Sequence, residues 1–412
     1  MKNACIKEIF SKVISRENSA FIIDERKFEN NLISLRSSFL NNYPEVHIGY
    51  SYKTNYIPSI CRTAHKLGCW AEVVSSMEVD MALIHLFDKS NIIYNGPIKS
   101  LDSIRKVIEV GGIINIDDFH DIEKIEQLLM ANNFKNLEVK IALRLNSSFD
   151  SQPSRFGIEI ERINEFLIRI DDNPYLKLIG YHIHLPFRSI ESFEFRMKCI
   201  IKVLNIHGSR PLEYINVGGG FFGDINSQLA KNLNIQNIPT YSDYGQIIGQ
   251  VLSEYFSKIK LKNWPKLFIE PGSCVVADSM WFLSRIHAVK KLNKKSMLVT
   301  YAARHLLTPT NKTLYFPVDL YISAVNSSSS YQGDLSVVGY TCIESDILGE
   351  VKSRFISSSF DFIAISNVGS YSIVLGSNFI LPQPAIYNYN NSGLKIIRIK
   401  KTAQILMAEF VD

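Results

Sequence analysis

The sequence predicts a (β/α)8 barrel followed by a β domain, on three observations. Between residues 20 and 275, short β-branched runs alternate with amphipathic stretches of helical length. Eight such runs fit into this span, which is the size and rhythm of a (β/α)8 barrel. Beyond residue 275, strand-like runs separated by polar turns replace the alternation. We therefore expect a barrel over 20–275 and a β-sandwich or β-barrel domain over 276–412, joined by the N-terminal segment 1–19.

The eight runs predicted as barrel strands each end in small or polar residues. They are 46–53, 69–75, 91–96, 113–117, 137–146, 178–185, 214–220 and 267–272. A doubly wound open sheet is the competing fold for the same alternation. In the second domain, the strand-like runs are 281–289, 296–301, 335–342, 362–366 and 394–399.

Composition narrows the class of protein. The net charge of +5 is small for 412 residues, and no basic stripe indicates nucleic acid as a partner. The N-terminus lacks the apolar run of a signal peptide, and no stretch reaches transmembrane length. Six widely spaced cysteines without a CxxC pair argue against disulfides and structural zinc. We expect a cytoplasmic protein with no membrane partner and no metal site.

The C-terminal ends of the predicted strands carry an unusual set of residues. In a barrel of parallel strands, the working residues lie at these ends. The first predicted strand ends in Lys53, the sixth in His182 and His184, the seventh in residues 218–220, and the eighth in residues 270–272. These positions are where we expect a site.

The chemistry of these residues fits a phosphorylated aldehyde cofactor. Three consecutive glycines expose backbone N–H groups to an anion, although a flexible loop has the same composition. A carboxylate such as Glu270 beside a phosphate site is expected to face a cation, which a protonated pyridine nitrogen supplies. An amine such as Lys53, desolvated in the barrel mouth, can attack an aldehyde and form a Schiff base. The ring of His184, or of His182 on the same side of the strand, can lie against the pyridine face, although a hydrogen-bonded core histidine is commoner.

The motifs and their order resemble a known family. They are SYKTN around Lys53, WAEVVSSMEV, NGPIKS, SRFGI, GYHIHL, INVGGGF, EPGS, YTCIESD and NVGSYS. Together they cover nearly the whole chain and resemble the fold-type III decarboxylases dependent on pyridoxal 5'-phosphate (PLP). That family includes diaminopimelate, ornithine and arginine decarboxylases. The resemblance implies a barrel of alanine-racemase type with a C-terminal β domain, and a lyase that removes the carboxylate of an amino acid.

The resemblance also implies roles for individual residues. Lys53 binds the cofactor covalently, His184 stacks on its ring, Glu270 pairs with the pyridine nitrogen, and Tyr371 helps the glycines to hold the phosphate. Cys342 is the acid that protonates the product, and it comes from the other subunit of a homodimer with shared active sites. The implied cofactor-binding set is Lys53, His184, Gly218, Gly219, Gly220, Glu270, Gly272, Ser273 and Tyr371.

Several positions depart from the family pattern. Ser273 stands where the family usually has arginine, and Pro186 and Phe187 stand where it has a Gly-Ser pair. Ile343 replaces the acidic residue that follows the catalytic cysteine, and Thr308 stands where an arginine binds the distal carboxylate of diaminopimelate. Neither ornithine nor diaminopimelate, the standard substrates of these relatives, fits these changes.

We therefore expect a modified or conjugated diamino acid as the substrate, in a specialised biosynthetic pathway of the siderophore or antibiotic type. Its candidate contacts are Arg188, Arg304, Glu344 and Asp346. Two alternatives stay open. One is a fold-type III racemase, which Glu270 disfavours because a protonated pyridine is the stronger electron sink. The other is a catalytically silent regulatory homologue.

Overall fold

Eight parallel strands close into a barrel in the larger part of the chain. The structure, a computed structural model, describes residues 3–14, 16–131, 138–151, 154–292, 295–307, 316–321, 333–353, 362–390 and 392–410. Leu137, where the fifth predicted run begins, and Thr308 lie outside the described residues.

The chain forms two compact units. The barrel unit comprises Glu29–Gly223 and Pro239–Cys274. The β unit comprises Met1–Phe28, Asp224–Ile238 and Val275–Asp412.

The barrel strands follow one another around a closed ring. They are β1 (Val46–Ser51), β2 (Trp70–Val73), β3 (Ile92–Tyr94), β4 (Ile113–Ile116), β5 (Val139–Asn146), β6 (Leu176–Ile183), β7 (Tyr214–Asn216) and β8 (Lys266–Ile269). All pairings are parallel, and β8 returns to β1 with Leu267 opposite Val46. Each predicted run overlaps one of these strands, and the sheet closes on itself, so the barrel is confirmed and the open sheet is excluded.

The barrel strands are apolar because they are buried on both faces. β3 and β4 are buried along their whole length. Six buried side chains fill one layer of the interior: Ile93, Ile113, Ala142, Ile179, Tyr214 and Phe268. A short strand, Ile158–Glu159, pairs with the end of β5.

Helices alternate with the barrel strands, as the 3.6-residue patterns predict. Those within the barrel unit are Pro58–Lys66, Ser76–His85, Leu101–Glu109, Phe119–Met130, Ile163–Asp171, Ile190–His207 and Tyr241–Lys258. The remaining α-helices of the described residues are Asn3–Ile14, Glu25–Leu40, Ser227–Asn232, Ser273–Val276, Arg304–Leu307, Ser372–Leu375 and Ala403–Met407. Single 3-10 turns are Tyr52–Thr54, Ile160–Arg162 and Ala277–Ser279.

The β unit contains a mixed sheet. Its central path runs through Ile347–Ser353, Gly333–Val338, Lys295–Thr300, Met280–Leu292, Ser19–Asp24, Ala385–Asn390 and Gly393–Arg398. Phe362–Ser366 pairs with Met280–Leu292 and with Val318–Tyr321. Each of the five predicted runs overlaps one strand, whereas Val318–Tyr321, Ile347–Ser353 and Ala385–Asn390 were not predicted.

Residues 20–28, which the sequence analysis placed in the barrel, belong to the β unit. The reason is that Ser19–Asp24 pairs with both Met280–Leu292 and Ala385–Asn390. Side chains of the first helix, including Ile9 and Phe10, complete the core of this unit.

No helix among the described residues is both long enough and apolar enough to cross a membrane.

Candidate active site

The turn after β1 presents an amine to a buried carboxylate. Lys53 lies in the 3-10 turn Tyr52–Thr54, and 39% of its side-chain surface is exposed. Its Nζ donates a hydrogen bond to Glu72 Oε2, and Ser51 Oγ donates to the same oxygen. Glu72 lies on β2 and is completely buried. The mouth of the barrel therefore holds an amine whose partner is shielded from water.

A second buried carboxylate follows β8. Glu270 Oε1 accepts hydrogen bonds from Asn95 Nδ2 at 2.8 Å and from Asn216 Nδ2 at 2.7 Å. His182 Nε2 lies 3.3 Å from Glu270 Oε2, which is within ion-pair distance. Burial opposes ionisation of Glu270, but His182, Lys53 and Asn95 together hold its pKa well below the ordinary range. Glu270 is therefore a buried, ionised carboxylate that can pair with a cation.

One asparagine joins the two carboxylates into a network. Asn95 Nδ2 donates to Glu72 Oε1 at 2.9 Å as well as to Glu270. Asn115 Nδ2 donates to Asn95 Oδ1 at 2.5 Å, which fixes the orientation of the Asn95 amide. Lys53 and Glu270, predicted from opposite ends of the barrel sequence, are thus linked through Glu72 and Asn95.

The two histidines of β6 have different surroundings. Gly219 N donates to His184 Nδ1 at 3.0 Å, so the proton of a neutral His184 ring lies on Nε2. Burial, and then the positive charges of Arg196 and Lys53, lowers the pKa of His184 well below its ordinary value. His184 is therefore a flat, neutral ring. His182 is 1% exposed, and the contact of its Nε2 with Glu270 Oε2 at 3.3 Å is the one polar contact of its ring among the described residues.

The glycines after β7 form a bend that has no room for side chains. Gly218 and Gly220 have φ angles of +69° and +93°, which favour glycine. A Cβ on Gly219 would lie 2.3 Å from the carbonyl oxygen of Glu270. Gly218 N donates to Asn216 Oδ1 at 2.8 Å, and its carbonyl accepts from Glu270 N at 2.9 Å. The bend is a rigid part of the site.

An arginine behind this bend was missed by the sequence analysis. Arg196, on the helix Ile190–His207, is completely buried. Its guanidinium donates to four backbone carbonyls of residues 185, 187, 217 and 219. We call segments 185–188 and 217–220 the paired loops.

The turn after β8 packs tightly on the turn that carries Lys53. A Cβ on Gly272 would lie 2.2 Å from Thr54 Oγ1, so only glycine fits at this position. Ser273 begins the short helix Ser273–Val276. Arg188, in the paired loops, lies 5.4 Å from the ring centre of Phe222.

A second polar cluster follows β3, β4 and β5, and it too was missed. The completely buried Lys99 donates to Asp121 Oδ2 at 2.6 Å and to the carbonyl of Gly96 at 2.7 Å. Asp117 Oδ1 accepts from Arg144 Nη1 at 3.2 Å. These pairs are internal and hold the strand ends in register.

The remaining predicted residues lie in the β unit. Cys342 and Glu344 belong to an exposed turn after Gly333–Val338. The predicted strand 335–342 was too long, because the chain leaves the strand at Val338. Asp346 closes the turn: its carboxylate accepts from Arg304 N at 2.9 Å and from Thr341 Oγ1 at 2.6 Å. Asp346 is buried, so its observed role is structural.

Arg304 and Tyr371 each begin a short helix of the β unit. Arg304 Nη1 donates to the carbonyl of Ile347 at 3.3 Å. Tyr371 precedes Ser372–Leu375 and has a left-handed backbone with φ of +64°. Non-glycine residues in this conformation are strained and cluster at functional sites.

Some of the missed residues carry a signal that sequence reasoning can use. Asn216 ends β7, Asn95 directly follows β3, and Glu72 is the last residue but one of β2, so the rule that selects Lys53 selects them once the strand ends are known. Arg196 gives no such signal, because a charged residue within a helix normally faces solvent.

These residues fit PLP. In the glycine bend, the N–H groups of Gly218 and Gly219 donate to Asn216 and His184, and the N–H of Gly220 is left, among the described residues, as a donor that suits an anionic group. Glu270, whose only ion-pair contact among the described residues is His182, suits a protonated ring nitrogen. Lys53 supplies an amine, and His184 supplies a flat ring. None of the described residues forms a group of three or more side chains suited to a metal ion.

A closed barrel with an amine, a glycine bend and a buried carboxylate at one mouth suits an enzyme of pyridoxal chemistry. The family model for the pyridoxal binding domain of pyridoxal-dependent decarboxylases matches residues 29–277 of the sequence. The chain belongs to this family, in the fold-type III group. It is a PLP-dependent amino-acid decarboxylase, a carboxy-lyase.

Relatives and solved structures agree with this assignment. The chain is 26% identical over 371 residues to a probable chloroplastic diaminopimelate decarboxylase of Oryza sativa subsp. japonica, covering 86% of this chain and 71% of the relative. It is 25% identical over 391 residues to a diaminopimelate decarboxylase of Methanocaldococcus jannaschii, covering 89% and 84% of the two chains. The crystal structure of a diaminopimelate decarboxylase from M. jannaschii with L-lysine superposes with a TM-score of 0.84 at 22% identity, covering 98% and 94%. A lysine/ornithine decarboxylase from Vibrio vulnificus with putrescine gives 0.73 at 16% identity, covering 92% and 96%. Both structures show the fold predicted here.

Proposed function

We propose that the mouth of the barrel decarboxylates a modified or conjugated diamino acid, with Lys53 as the catalytic amine. The observation that carries this proposal is the continuous network from Lys53 through Glu72 and Asn95 to Glu270. It joins the group that binds an aldehyde to the group that faces a ring nitrogen.

Each end of the site is suited to one part of the cofactor. In this proposal, residues 218–220 hold the phosphate together with Gly272 and Ser273, which closely follow Glu270 in the chain, and Glu270 pairs with the ring nitrogen. His184 is placed to lie against the ring, and its neutral state avoids repulsion from a protonated pyridine. When bound, PLP supplies an electron sink for the pair left as the carboxylate departs as carbon dioxide.

Glu72 is the group that controls the proton of Lys53. An ammonium is not nucleophilic, so the amine must lose a proton before it can attack an aldehyde. The carboxylate of Glu72 already accepts a hydrogen bond from Lys53 Nζ, and its other oxygen is held by Asn95. This geometry places a proton acceptor at the amine while keeping water away from the acceptor.

The acid that protonates the product is Cys342 of the partner subunit. The supporting observation is that Cys342 lies on an exposed turn, whose base is fixed by the hydrogen bonds of Asp346. A rigid turn that presents a thiol to solvent is suited to serve another chain. The working unit is then a homodimer with two shared sites, and Tyr371 completes the phosphate contacts.

Mixing two inactive variants tests the shared site. Lys53→Ala is expected to lose decarboxylation, and Cys342→Ala is expected to lose formation of the amine product because its acid is missing, so amine formation is the activity measured. When they are mixed and allowed to exchange subunits, about a quarter of the wild-type activity should return, because half of the dimers are mixed and each mixed dimer has one intact site. Absence of recovery, in a mixture shown by labelled subunits to have exchanged, would contradict a partner-supplied Cys342.

Covalent labelling tests the amine. Borohydride treatment of the holoenzyme should attach the cofactor to residue 53, and the Lys53→Ala variant should lose both this label and the absorbance of the covalently bound cofactor. A label on any other lysine would refute the assignment of Lys53.

The substrate proposal rests on the departures at Ile343 and Thr308. Ile343 is exposed in the Cys342 turn and offers no charge to a distal ammonium group. Glu344, exposed in the same turn, is the remaining acidic candidate, and Arg188 and Arg304 are candidates for carboxylates on a conjugated substrate. Diaminopimelate is the second candidate substrate, because the similar relatives are named for it.

Carbon dioxide release from ornithine, lysine, arginine, diaminopimelate and conjugated diamino acids separates these candidates. The proposal expects a conjugated acid to have the highest kcat/KM. Robust turnover of plain ornithine would overturn it, and a preference for diaminopimelate would select the second candidate.

We also propose that the enzyme works in the cytoplasm, in a specialised biosynthetic pathway. Among the described residues, Cys61, Cys69, Cys199, Cys274 and Cys342 are all free thiols, which suits a reducing compartment.

A further inference from the structure

The buried Arg196 makes an unusual set of contacts. Its Nη1 donates to the carbonyls of Val217 at 2.9 Å and Gly219 at 2.7 Å. Its Nη2 donates to the carbonyls of Leu185 at 2.7 Å and Phe187 at 2.9 Å. Every acceptor therefore belongs to the paired loops, and one side chain ties the two loops together.

This arginine is a buried cation with no anionic partner. All four of its acceptors are neutral carbonyls, and no described residue places a carboxylate at ion-pair distance from it. Burial lowers the pKa of Arg196 to about 9, so it keeps its proton at neutral pH. Buried charges are normally compensated by an opposite charge. An anion on the far side of the paired loops would meet that need.

The four hydrogen bonds also set the direction of the loop amides. In a planar trans peptide, the N–H points opposite to the preceding C=O, and no described peptide is cis. Turning the carbonyls of Val217 and Gly219 toward the guanidinium therefore turns the N–H groups of Gly218 and Gly220 away from it. The Gly218 N–H donates to Asn216 Oδ1, so the Gly220 N–H is the donor that this geometry leaves for an anion. Arg196 keeps carbonyl oxygens out of the face that an anion would approach, and its own charge lies behind that face.

In this chain, two phosphate contacts that the family resemblance predicts are missing. Ser273 and Phe187 stand where the family resemblance predicts an arginine and a serine. Residue 187 has no hydroxyl and residue 273 has no cation. The positive charge that balances the phosphate of PLP must therefore come from another position. Two arginines are near: Arg188 lies within the paired loops, 5.4 Å from the ring centre of Phe222, whereas Arg196 donates to the carbonyls of both loops.

We propose that Arg196 is the positioning residue that shapes and charges the phosphate site of this decarboxylase. The inference rests on the proposed function, because it assigns the phosphate of PLP to the paired loops. Arg196 acts through the loop backbone and does not itself touch the cofactor.

The decisive measurement is the affinity of the apoprotein for PLP relative to pyridoxal, which lacks the phosphate. Both dissociation constants are measured by absorbance or fluorescence titration of wild type and Arg196→Met. Loss of the charge and of the loop geometry should weaken PLP binding about 10- to 100-fold. Pyridoxal binding should stay within about threefold, because its amine, ring and ring-nitrogen contacts are unchanged.

Two further variants separate this role from general stability. Arg36→Met removes a half-buried arginine that donates to the carbonyl of Leu67 at 2.6 Å, outside the paired loops. It should lower the melting temperature of the apoprotein and leave the ratio of PLP to pyridoxal affinity unchanged. Arg196→Lys keeps the charge but not the four-fold contact, so its ratio should fall between wild type and Arg196→Met. If Arg196→Met does not fold, Arg196→Lys carries the same test.

The phosphorus NMR signal of bound PLP gives an independent readout. In wild type, its chemical shift should be constant between about pH 6 and about pH 8, because a cationic site holds the phosphate as a dianion. In Arg196→Met, the phosphorus chemical shift should become pH-dependent. An unchanged affinity ratio together with an unchanged titration would overturn the role of Arg196. Failure of wild type to prefer PLP over pyridoxal would instead overturn the proposed function, and the present inference with it.

Discussion

A buried glutamate beside the site should make the stability of the protein fall as pH rises. Glu78 lies in the first turn of the helix Ser76–His85 and is 5% exposed. Its carboxylate accepts a hydrogen bond from Val74 N at 2.8 Å. Burial, aided by the neighbouring Glu72, raises the pKa of Glu78 from 4.5 to about 7 although Val74 N and Lys53 oppose the shift.

The sign of the effect follows from which state binds more protons. Below the unfolded pKa, Glu78 is protonated in both states and contributes no pH dependence. Between 4.5 and about 7, the folded state keeps its proton and the unfolded state loses it, so the free energy of unfolding decreases with pH. Above this range the full cost remains, on the order of 3 kcal/mol if the whole shift is expressed.

Replacing Glu78 with glutamine removes this titration. The amide oxygen can still accept from Val74 N, so the hydrogen bond that orients the helix is retained. Relative to wild type, Glu78→Gln should gain stability progressively between about pH 5 and about pH 7, reaching about 1–3 kcal/mol by about pH 8. The measurement is urea unfolding of the apoprotein at a series of pH values, followed by the difference in free energy between the two proteins.

Glu165→Gln is the matched control, because Glu165 is an exposed helical glutamate in the same barrel unit. Its difference from wild type should be nearly independent of pH over the same interval. A Glu78→Gln difference that is flat with pH, or that decreases toward alkaline pH, would show that the Glu78 carboxyl is not held protonated by burial. A constant offset would reflect only the amide group.

Three further predictions concern the barrel. Gly219→Ala places a methyl group 2.3 Å from the Glu270 carbonyl oxygen, so PLP should bind at least about tenfold more weakly. In the control Gly68→Ala, no atom lies near the Cβ, but the φ of +75° strains alanine, so stability should fall while PLP binds normally; equal PLP affinities of the two variants would refute the steric argument. Lys99→Met leaves the buried carboxylate of Asp121 without its cation, so the free energy of unfolding in urea should fall by about 3–5 kcal/mol. A fall below about 1 kcal/mol would show that the Lys99–Asp121 pair is dispensable. Glu72→Gln removes the proton acceptor of the catalytic amine and should lower kcat about 10²- to 10⁴-fold, and turnover within twofold of wild type would exclude that role.

The barrel was predictable because its strands are short apolar runs with helices between them. Strands buried on both faces need no partner information to be recognised, since apolar residues fill every position. Strand ends were predicted too long, as in 214–220, where the strand stops at Asn216 because the following glycines bend away.

The β unit was harder to predict because its pairings are distant in sequence. Ser19–Asp24 lies between Met280–Leu292 and Ala385–Asn390, and nothing local assigns it to either. Gly333–Val338 and Ile347–Ser353 flank the Cys342 turn, but only the first of these strands was predicted. The polar and exposed residues of such strands weaken the apolar pattern on which the prediction depends.

Site residues that stand at strand ends were predictable from the sequence. Arg196, which lies behind the paired loops, was not. Lys53, His184 and Glu270 follow from one rule about parallel barrels, and Glu72 obeys the same rule. Arg196 does not, because its function depends on burial and on carbonyl directions, which the sequence does not contain. A helical arginine is normally solvated, and only its environment shows otherwise.

Charge is distributed so that the site can bind PLP in one orientation. One side of the network holds the carboxylates Glu72 and Glu270, and the other side holds the paired loops with Arg196 behind them. Gly219 connects the two: its N–H donates to His184, its carbonyl accepts from Arg196, and its missing Cβ leaves space against the Glu270 carbonyl. A molecule with a cationic ring nitrogen and an anionic phosphate can satisfy both sides at once, whereas the reversed orientation would bring phosphate to the carboxylates. The same arrangement explains why Gly219 accepts no side chain: the residue contacts His184, the guanidinium of Arg196 and the carbonyl of Glu270 together.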